Sequence, residues 1–384
     1  MNPSYKRDRL LLSAAHMGGA ELPLVQEVFE TNWVAPAGPM ITRFEDDLAR
    51  LTGIGHVAAL SSGTAALHLA LRLSRIEAGD EVWGSTMTFM GGVAPILYMN
   101  ATPVFLDIEE SDFLLDLALL EEELGSAARA GRLPKVVIST DLYGHVLDTK
   151  RMRALADRYG FVWISDAAEA VGSYRDGYHA GRGADFAILS FNGNKIITTS
   201  GGGALASDNG DAIERARFLA TQAREPAVHY EHTTYGYNYR LSGICAAVGI
   251  GQLQVIEDRV LARRRVHDLY RTHLDDLPGF TFSTEPLGMR ANRWLTTVLI
   301  DPDKAGFGRE EARLALETEN IESRPFWKPM HLQPLFSEAK MVGGDVAERA
   351  FDTGLCLPSG SSLTDDQVAE VAQVLRAMYA ESAA

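Results

Sequence analysis

The chain has 384 residues, 46% of them hydrophobic and 23% charged, and its 36 basic against 51 acidic side chains leave a formal charge of −15. That balance excludes general binding to nucleic acid or to an anionic membrane surface and leaves room only for local basic pockets. The length suits one large domain and a smaller one, with enough apolar surface for a real core. The two cysteines, Cys245 and Cys356, offer neither metal spacing nor a disulfide framework, which fits a reducing compartment. The amino-terminal stretch YKRDRLLLSAAHMGG imitates a signal peptide, with basic residues before Leu10 to Ala15. Its apolar run is too short, however, and His16 ends it. No window approaches the apolar length that spans a membrane, so the expectation is a soluble cytoplasmic protein.

In chain order, short apolar runs recur with helical segments between them. The runs are residues 56–61, 81–89, 102–108, 135–140, 161–166, 185–191 and 203–206. Those reading VVIST, FVWIS and FAILSF are almost continuously apolar, which suits strands covered on both faces. Between the runs, residues 65–74 and 148–159 read as crossover helices. The alternation predicts an α/β domain built on a mostly parallel seven-stranded sheet.

Residues 224–240, REPAVHYEHTTYGYNYR, break this pattern with four tyrosines, two histidines and no regular period. A loop of that length inside a compact domain is functional or disordered, and its aromatic content argues against disorder. Residues 245–260 read as a long helix, and a basic cluster follows at 259–265. Farther on, RWLTTVLID reads as a strand and residues 309–319 as a helix. Thr364 and Gln367 form a capping-box pattern ahead of Val368, Val371, Leu375 and Met378 at helical spacing. The predicted division is a large domain over residues 1–260 and a small α/β domain over residues 261–384.

In an open parallel sheet, ligands bind beyond the carboxyl ends of the strands. The residues found there are SSGTAA, TF, DLYGH, DAAEA and SFNGNK, so a glycine-hydroxyl turn, an aromatic, an acid and an amine converge on one rim. The turn SSGTAALHLALRL opens a helix whose first amides are unpaired, which makes an anion site; alone, it reads equally as an N-cap by Ser62 or Thr64. Asp166 ends a buried strand and must find a partner, either the start of the next helix or a protonated ring nitrogen. Glu169, three residues on, can point at the same ligand. A lone lysine is ordinarily a solvated surface charge. Lys195, though, sits among small polar residues, Ser190 and Asn194, and before SGGG, which suggests close backbone approach. Desolvated there, it would have the lowered pKa that a Schiff-base amine requires.

Together these parts match what pyridoxal phosphate needs: amides and hydroxyls for the phosphate, Phe89 to stack on the ring, a carboxylate for the pyridine nitrogen and an amine for the aldehyde. A dinucleotide site fits worse, because no G-x-G-x-x-G follows the first strand.

The segments DAAEAVGS, SFNGNKIITTSGGG, GYNYRLS and ESRPFWKPMH resemble the sugar-nucleotide aminotransferases of the DegT type, from HMGGAE at His16 to CLPSG ending at Gly360. The resemblance implies the fold of the type I pyridoxal-phosphate transferases, like that of aspartate aminotransferase. It implies that Lys195 takes the cofactor's aldehyde and shuttles the proton, and that Asp166 keeps the ring nitrogen protonated. Glu169 would lie beside the phenolic oxygen and Phe89 on the ring, with Gly63, Thr64 and Ser190 at the phosphate. Asn238 would reach across a two-fold interface to the partner's phosphate, implying an obligate homodimer whose aromatic loop completes the neighbouring site.

Within that family, NGNKIITTSGGG together with TQARE, HYEH and YGYNYR resembles the enzymes that aminate carbon 4 of a UDP-4-keto-6-deoxy-N-acetylhexosamine on the UDP-N-acetylbacillosamine pathway, with L-glutamate as donor. Asn194, Arg240, Arg324 and His331 would then face the sugar or its diphosphate; Arg324 and His331 read equally as an ordinary surface pair. Two departures bear on substrate choice rather than on transamination: many relatives carry Glu at Ser165 and His at Asp141. A histidine at Lys195 would have pointed to the dehydratase branch. Alternatives are a GDP- or dTDP-linked keto sugar, amination at carbon 3, a non-catalytic pyridoxal-phosphate regulator, and a nicotinamide dehydrogenase.

Overall fold

The computed structural model describes residues 8–382; Tyr5, Lys6 and Arg7 of the stretch that imitates a signal peptide lie outside them. All seven predicted strands form and lie in one sheet. In space the order is His56–Leu60, Gly203–Ser207, Phe186–Ser190, Val162–Asp166, Val136–Thr140, Glu81–Ser85, Thr102–Leu106 and an eighth strand, Lys340–Val342. Five of the seven pairings are parallel; both antiparallel ones are made by Gly203–Ser207. The sheet is therefore mostly parallel, as expected, but has eight strands rather than seven. The eighth comes from the C-terminal region and, at three residues, is too short to carry a period.

The near-continuous apolar runs have a simple cause. Val82, Ile138 and Ile164 point into the core on one face of the sheet, and Trp83, Val137 and Trp163 into the core on the other. Each such side chain contributes about 1.5–3 kcal/mol of transfer free energy. The crossover helices Gly63–Leu73 and Thr149–Tyr159 are capped by Ser62 and Asp148, whose side-chain oxygens accept from the Ala65 and Arg151 amides at 3.0 Å each.

The helix expected over residues 245–260 is two helices, Gly243–Leu253 and Ile256–Leu274, interrupted at Gln254 and Val255. No glycine or proline marks the break, so composition hides it. The amino-terminal segment docks there: Arg259 donates to the carbonyls of His16 (3.1 Å) and Met17 (3.0 Å). A second, antiparallel sheet joins Phe280–Phe282, Thr296–Ile300, Gly354–Leu357 and Arg324–Pro325. Its core is separate and includes Val298, Leu355, Val371 and Leu375. Along Ile256–Leu274, Val260 packs into the large core and Val266 into the small one. We propose that the two domains meet along this helix near residue 260, with Lys340–Val342 returning to the large sheet. The capping box forms as read, with the Thr364 amide on Gln367 Oε1 (3.0 Å) and the Gln367 amide on Thr364 Oγ1 (3.3 Å).

The aromatic loop is pinned to the helix Gly63–Leu73. Arg72 donates to Tyr237 Oη (2.6 Å), and Tyr237 stacks on Tyr239 with centroids 4.8 Å apart. Among the described residues, no helix is long and apolar enough to cross a membrane.

Candidate active site

The rim at the carboxyl ends of the parallel strands is a cavity of about 240 Å³. Gly63, Thr64, Phe89, Asp166, Glu169, Ser190, Asn194 and Lys195 all line it. On one side the helix Gly63–Leu73 opens toward the space. Ser62 satisfies the Ala65 amide, while the Gly63 and Thr64 amides are first-turn donors without intrahelical acceptors. Ser190, at the end of its strand, abuts them: a Cβ on Gly63 would lie 3.4 Å from that of Ser190.

Asp166 ends Val162–Asp166, is 8% exposed and accepts from the Ala168 amide at 3.2 Å. Burial pushes its carboxyl up to about 6; the Ala168 amide and the Lys195 amine oppose the rise, and the Glu169 charge adds to it. Glu169 Oε2 accepts from the Tyr143 amide (2.8 Å), and its Oε1 lies 3.6 Å from Lys195 Nζ. Lys195 is thus a buried amine, its side chain 12% exposed. Its other neighbour is the face of Trp294, with Nζ 4.0 Å from the ring centroid, a contact worth about 0.5–2 kcal/mol. Trp294 Nε1 (2.8 Å) and Ser13 Oγ (2.7 Å) both donate to the Asn194 carbonyl and so fix the loop that carries the lysine.

Four predicted residues lie off this lining. Asn238 is exposed and bridges Thr221. Arg240 donates to Glu45 Oε1 (2.8 Å). Arg324, its side chain 61% exposed, pairs with Glu322 (2.8 Å). His331 shares hydrogen bonds with Thr86 Oγ1 (2.7 Å) and Glu348 (3.1 Å). Conversely, Gly92, Trp294 and Trp327 line the cavity and escaped the sequence reading, which placed Thr88 on the rim without giving it a role. Trp294 sits in RWLTTVLID, read only as a strand, and Trp327 in ESRPFWKPMH, which was read for its charges. The two departures from the family pattern meet each other: Ser165 Oγ donates to Asp141 Oδ2 (3.2 Å), and burial pushes the Asp141 carboxyl up to about 7.

Residues 16–376 match the DegT/DnrJ/EryC1/StrS aminotransferase family. EpsN of Bacillus subtilis (strain 168), provisionally named as a pyridoxal phosphate-dependent aminotransferase, is 46% identical over 375 residues, covering 97% of this chain and 96% of that protein. A GDP-perosamine synthase of Caulobacter vibrioides is 33% identical over 96% of this chain and 97% of its own. Among solved structures, the aminotransferase TlmJ from Streptoalloteichus hindustanus is 28% identical with a TM-score of 0.90, covering 98% of this chain and all of that one (100%).

The cavity fits pyridoxal phosphate on its own terms. Among the described residues, Thr88 Oγ1 is a buried polar atom of its wall without a hydrogen-bond partner. Gly92 leaves open the space beside the carboxylate, since a Cβ there would lie 2.8 Å from Asp166 Oδ2 and 2.7 Å from Thr88 Oγ1. Gly92→Ala is accordingly expected to weaken cofactor retention by about tenfold, measured by dialysis and absorbance, a cost of order 1–3 kcal/mol for overpacking. With its α/β fold, its buried amine and carboxylate on one rim, and relatives matched over nearly their whole length, the chain belongs to the DegT/DnrJ/EryC1/StrS family and is a pyridoxal phosphate-dependent sugar aminotransferase.

Proposed function

We propose that the protein aminates carbon 4 of UDP-2-acetamido-2,6-dideoxy-4-keto-hexose, taking the amino group from L-glutamate. The observation that supports transamination most strongly is the enclosure of Lys195, Asp166 and the Gly63–Thr64 turn in one cavity. Pyridoxal phosphate, when bound, supplies an electron sink for the reacting carbon. The chain's own residues do the rest. The Gly63 and Thr64 amides with the Ser190 hydroxyl hold the phosphate at the positive end of a helix. Asp166 holds the proton of the ring nitrogen, and Phe89 covers the ring. Lys195 Nζ takes and returns the proton at the reacting carbon, kept in reach by Glu169 and Trp294. Asn194 faces the sugar. Asn238 and Arg240, on the aromatic loop and off this chain's own cavity, serve the site of a second copy in a homodimer.

A GDP-linked 4-keto sugar is the second reading, favoured by relatives named GDP-perosamine synthase at 31–33% identity. The discriminating experiment loads the enzyme with an amino group from L-glutamate, then mixes it with UDP-, GDP- and dTDP-linked 4-keto-6-deoxyhexoses while following the cofactor absorbance. The UDP-linked N-acetyl sugar is expected to discharge the amino group fastest. A faster GDP-linked reaction supports the second reading, and silence from all three removes both.

A further inference from the structure

Three buried indoles of this protein each have an acceptor for the ring N–H: Trp83 donates to Glu81 (3.0 Å), Trp163 to Ser139 Oγ (2.9 Å) and Trp294 to the Asn194 carbonyl (2.8 Å). Trp327 is different. Its Nε1 is buried without a hydrogen-bond partner among the described residues, and the side chain lines the active-site cavity. An unpaired buried donor is costly, so a native structure keeps one where a ligand satisfies it.

The residue is also held rigidly. The Phe326 amide donates to the Gly354 carbonyl (3.1 Å), the Trp327 amide to Tyr143 Oη (2.8 Å) and the Met330 amide to the Thr86 carbonyl (2.8 Å). Tyr143 is itself a non-glycine residue in left-handed backbone, φ 54°, whose own amide holds Glu169 (2.8 Å), the neighbour of Lys195. Such strain is kept where the surrounding site requires it. One residue, through its hydroxyl and its backbone amide, thus ties the position of Trp327 to that of the lysine's acid.

Burial separates two ends of the cavity. Asp166, Glu169 and Ser190 are buried at the floor, where the other orphan, Thr88 Oγ1, borders Asp166 across the bare Gly92. Trp327 instead packs on Phe89 (centroids 5.6 Å), which is 58% exposed and marks the mouth. The floor suits the cofactor, and the mouth suits the molecule that enters last.

We propose that Trp327 is a specificity-determining residue for the sugar, donating its indole N–H to an oxygen of the keto sugar while its ring covers a face of the pyranose. This rests on the reading of a keto sugar nucleotide as substrate. The test compares wild type with Trp327→Phe, which keeps an aromatic face and removes the donor, in two separate half-reactions followed by cofactor absorbance. One uses L-glutamate, the other UDP-2-acetamido-2,6-dideoxy-4-keto-hexose. The concentration of sugar nucleotide giving half-maximal rate is expected to rise about tenfold more than that of L-glutamate, the loss of one hydrogen bond to a ligand. Trp327→Leu, which also removes the face, is expected to raise it further. Equilibrium titration with the same sugar nucleotide, read by quenching of indole fluorescence, should show weaker binding in parallel. An unshifted sugar dependence in Trp327→Phe overturns the inference alone, as does an equal loss in the L-glutamate half-reaction, which would assign the donor to the cofactor. Failure of the wild type with this sugar nucleotide overturns the substrate reading instead.

Discussion

Replacing Lys195 by alanine is expected to slow transamination by at least about 10³-fold while leaving the fold intact. The side chain is 12% exposed, with its amine 3.6 Å from Glu169 Oε1 and over the ring of Trp294, a fixed placement that a free base in solution reproduces only in part. Among the described residues, no other lysine lines the cavity. On the proposed roles, alanine removes both the group that would hold the aldehyde and the group that would move the proton, and the two losses fall on the same atom. An exogenous small amine should restore part of the rate. The check is single-turnover kinetics with L-glutamate, beside a thermal melt showing that the variant is folded. Retention of more than a tenth of the wild-type rate would remove Lys195 from its role.

Asp166→Asn carries the next largest expected effect, about 10²- to 10³-fold in rate. Burial, helped by the Glu169 charge and opposed by the Ala168 amide and the Lys195 amine, holds the carboxyl up at about 6, above its ordinary value near 4. A protonated ring nitrogen opposite it stabilises the carboxylate and brings that value down. The wild-type rate should therefore be flat at neutral pH and fall only at pH values below about 6, where the carboxylate is neutralised. Asparagine is nearly isosteric and cannot ionise. It should give a low rate that lacks this acid limb. A pH profile of the L-glutamate half-reaction distinguishes the two; an acid limb that survives in the variant belongs to another group.

Much of this site was legible in the chain because its cofactor-binding parts are local. Asp166 ends an apolar strand, and Gly63–Thr64 and Lys195 come within a few residues of the ends of two others, so the strand ends bring them to one rim. Chemistry that depends on distant chain segments was not legible. Trp294 and Trp327 come from the C-terminal region, and no periodicity indicates which side of the cavity they close. Charge alone decides little in the same segment: Arg324 and His331 attract notice as candidate anion ligands, and in this chain Glu322 and Glu348 lie within hydrogen-bond reach of them. The interruption at Gln254 and Val255 was equally silent, because no helix-breaking residue marks it; Gln252 and Arg259 on either side both donate to the distant His16 carbonyl. Substrate choice depends on mouth residues such as these, which is why the sequence reading reached transamination more securely than the nucleobase.

The central claim is that this one amine holds the cofactor. Reducing the holoenzyme with borohydride, digesting it and mapping the adduct by mass spectrometry tests it most directly. The yellow protein should lose its visible band, and a single modified peptide should carry the cofactor on Lys195. An adduct on any other lysine, or no adduct on a protein that transaminates, would contradict the assignment.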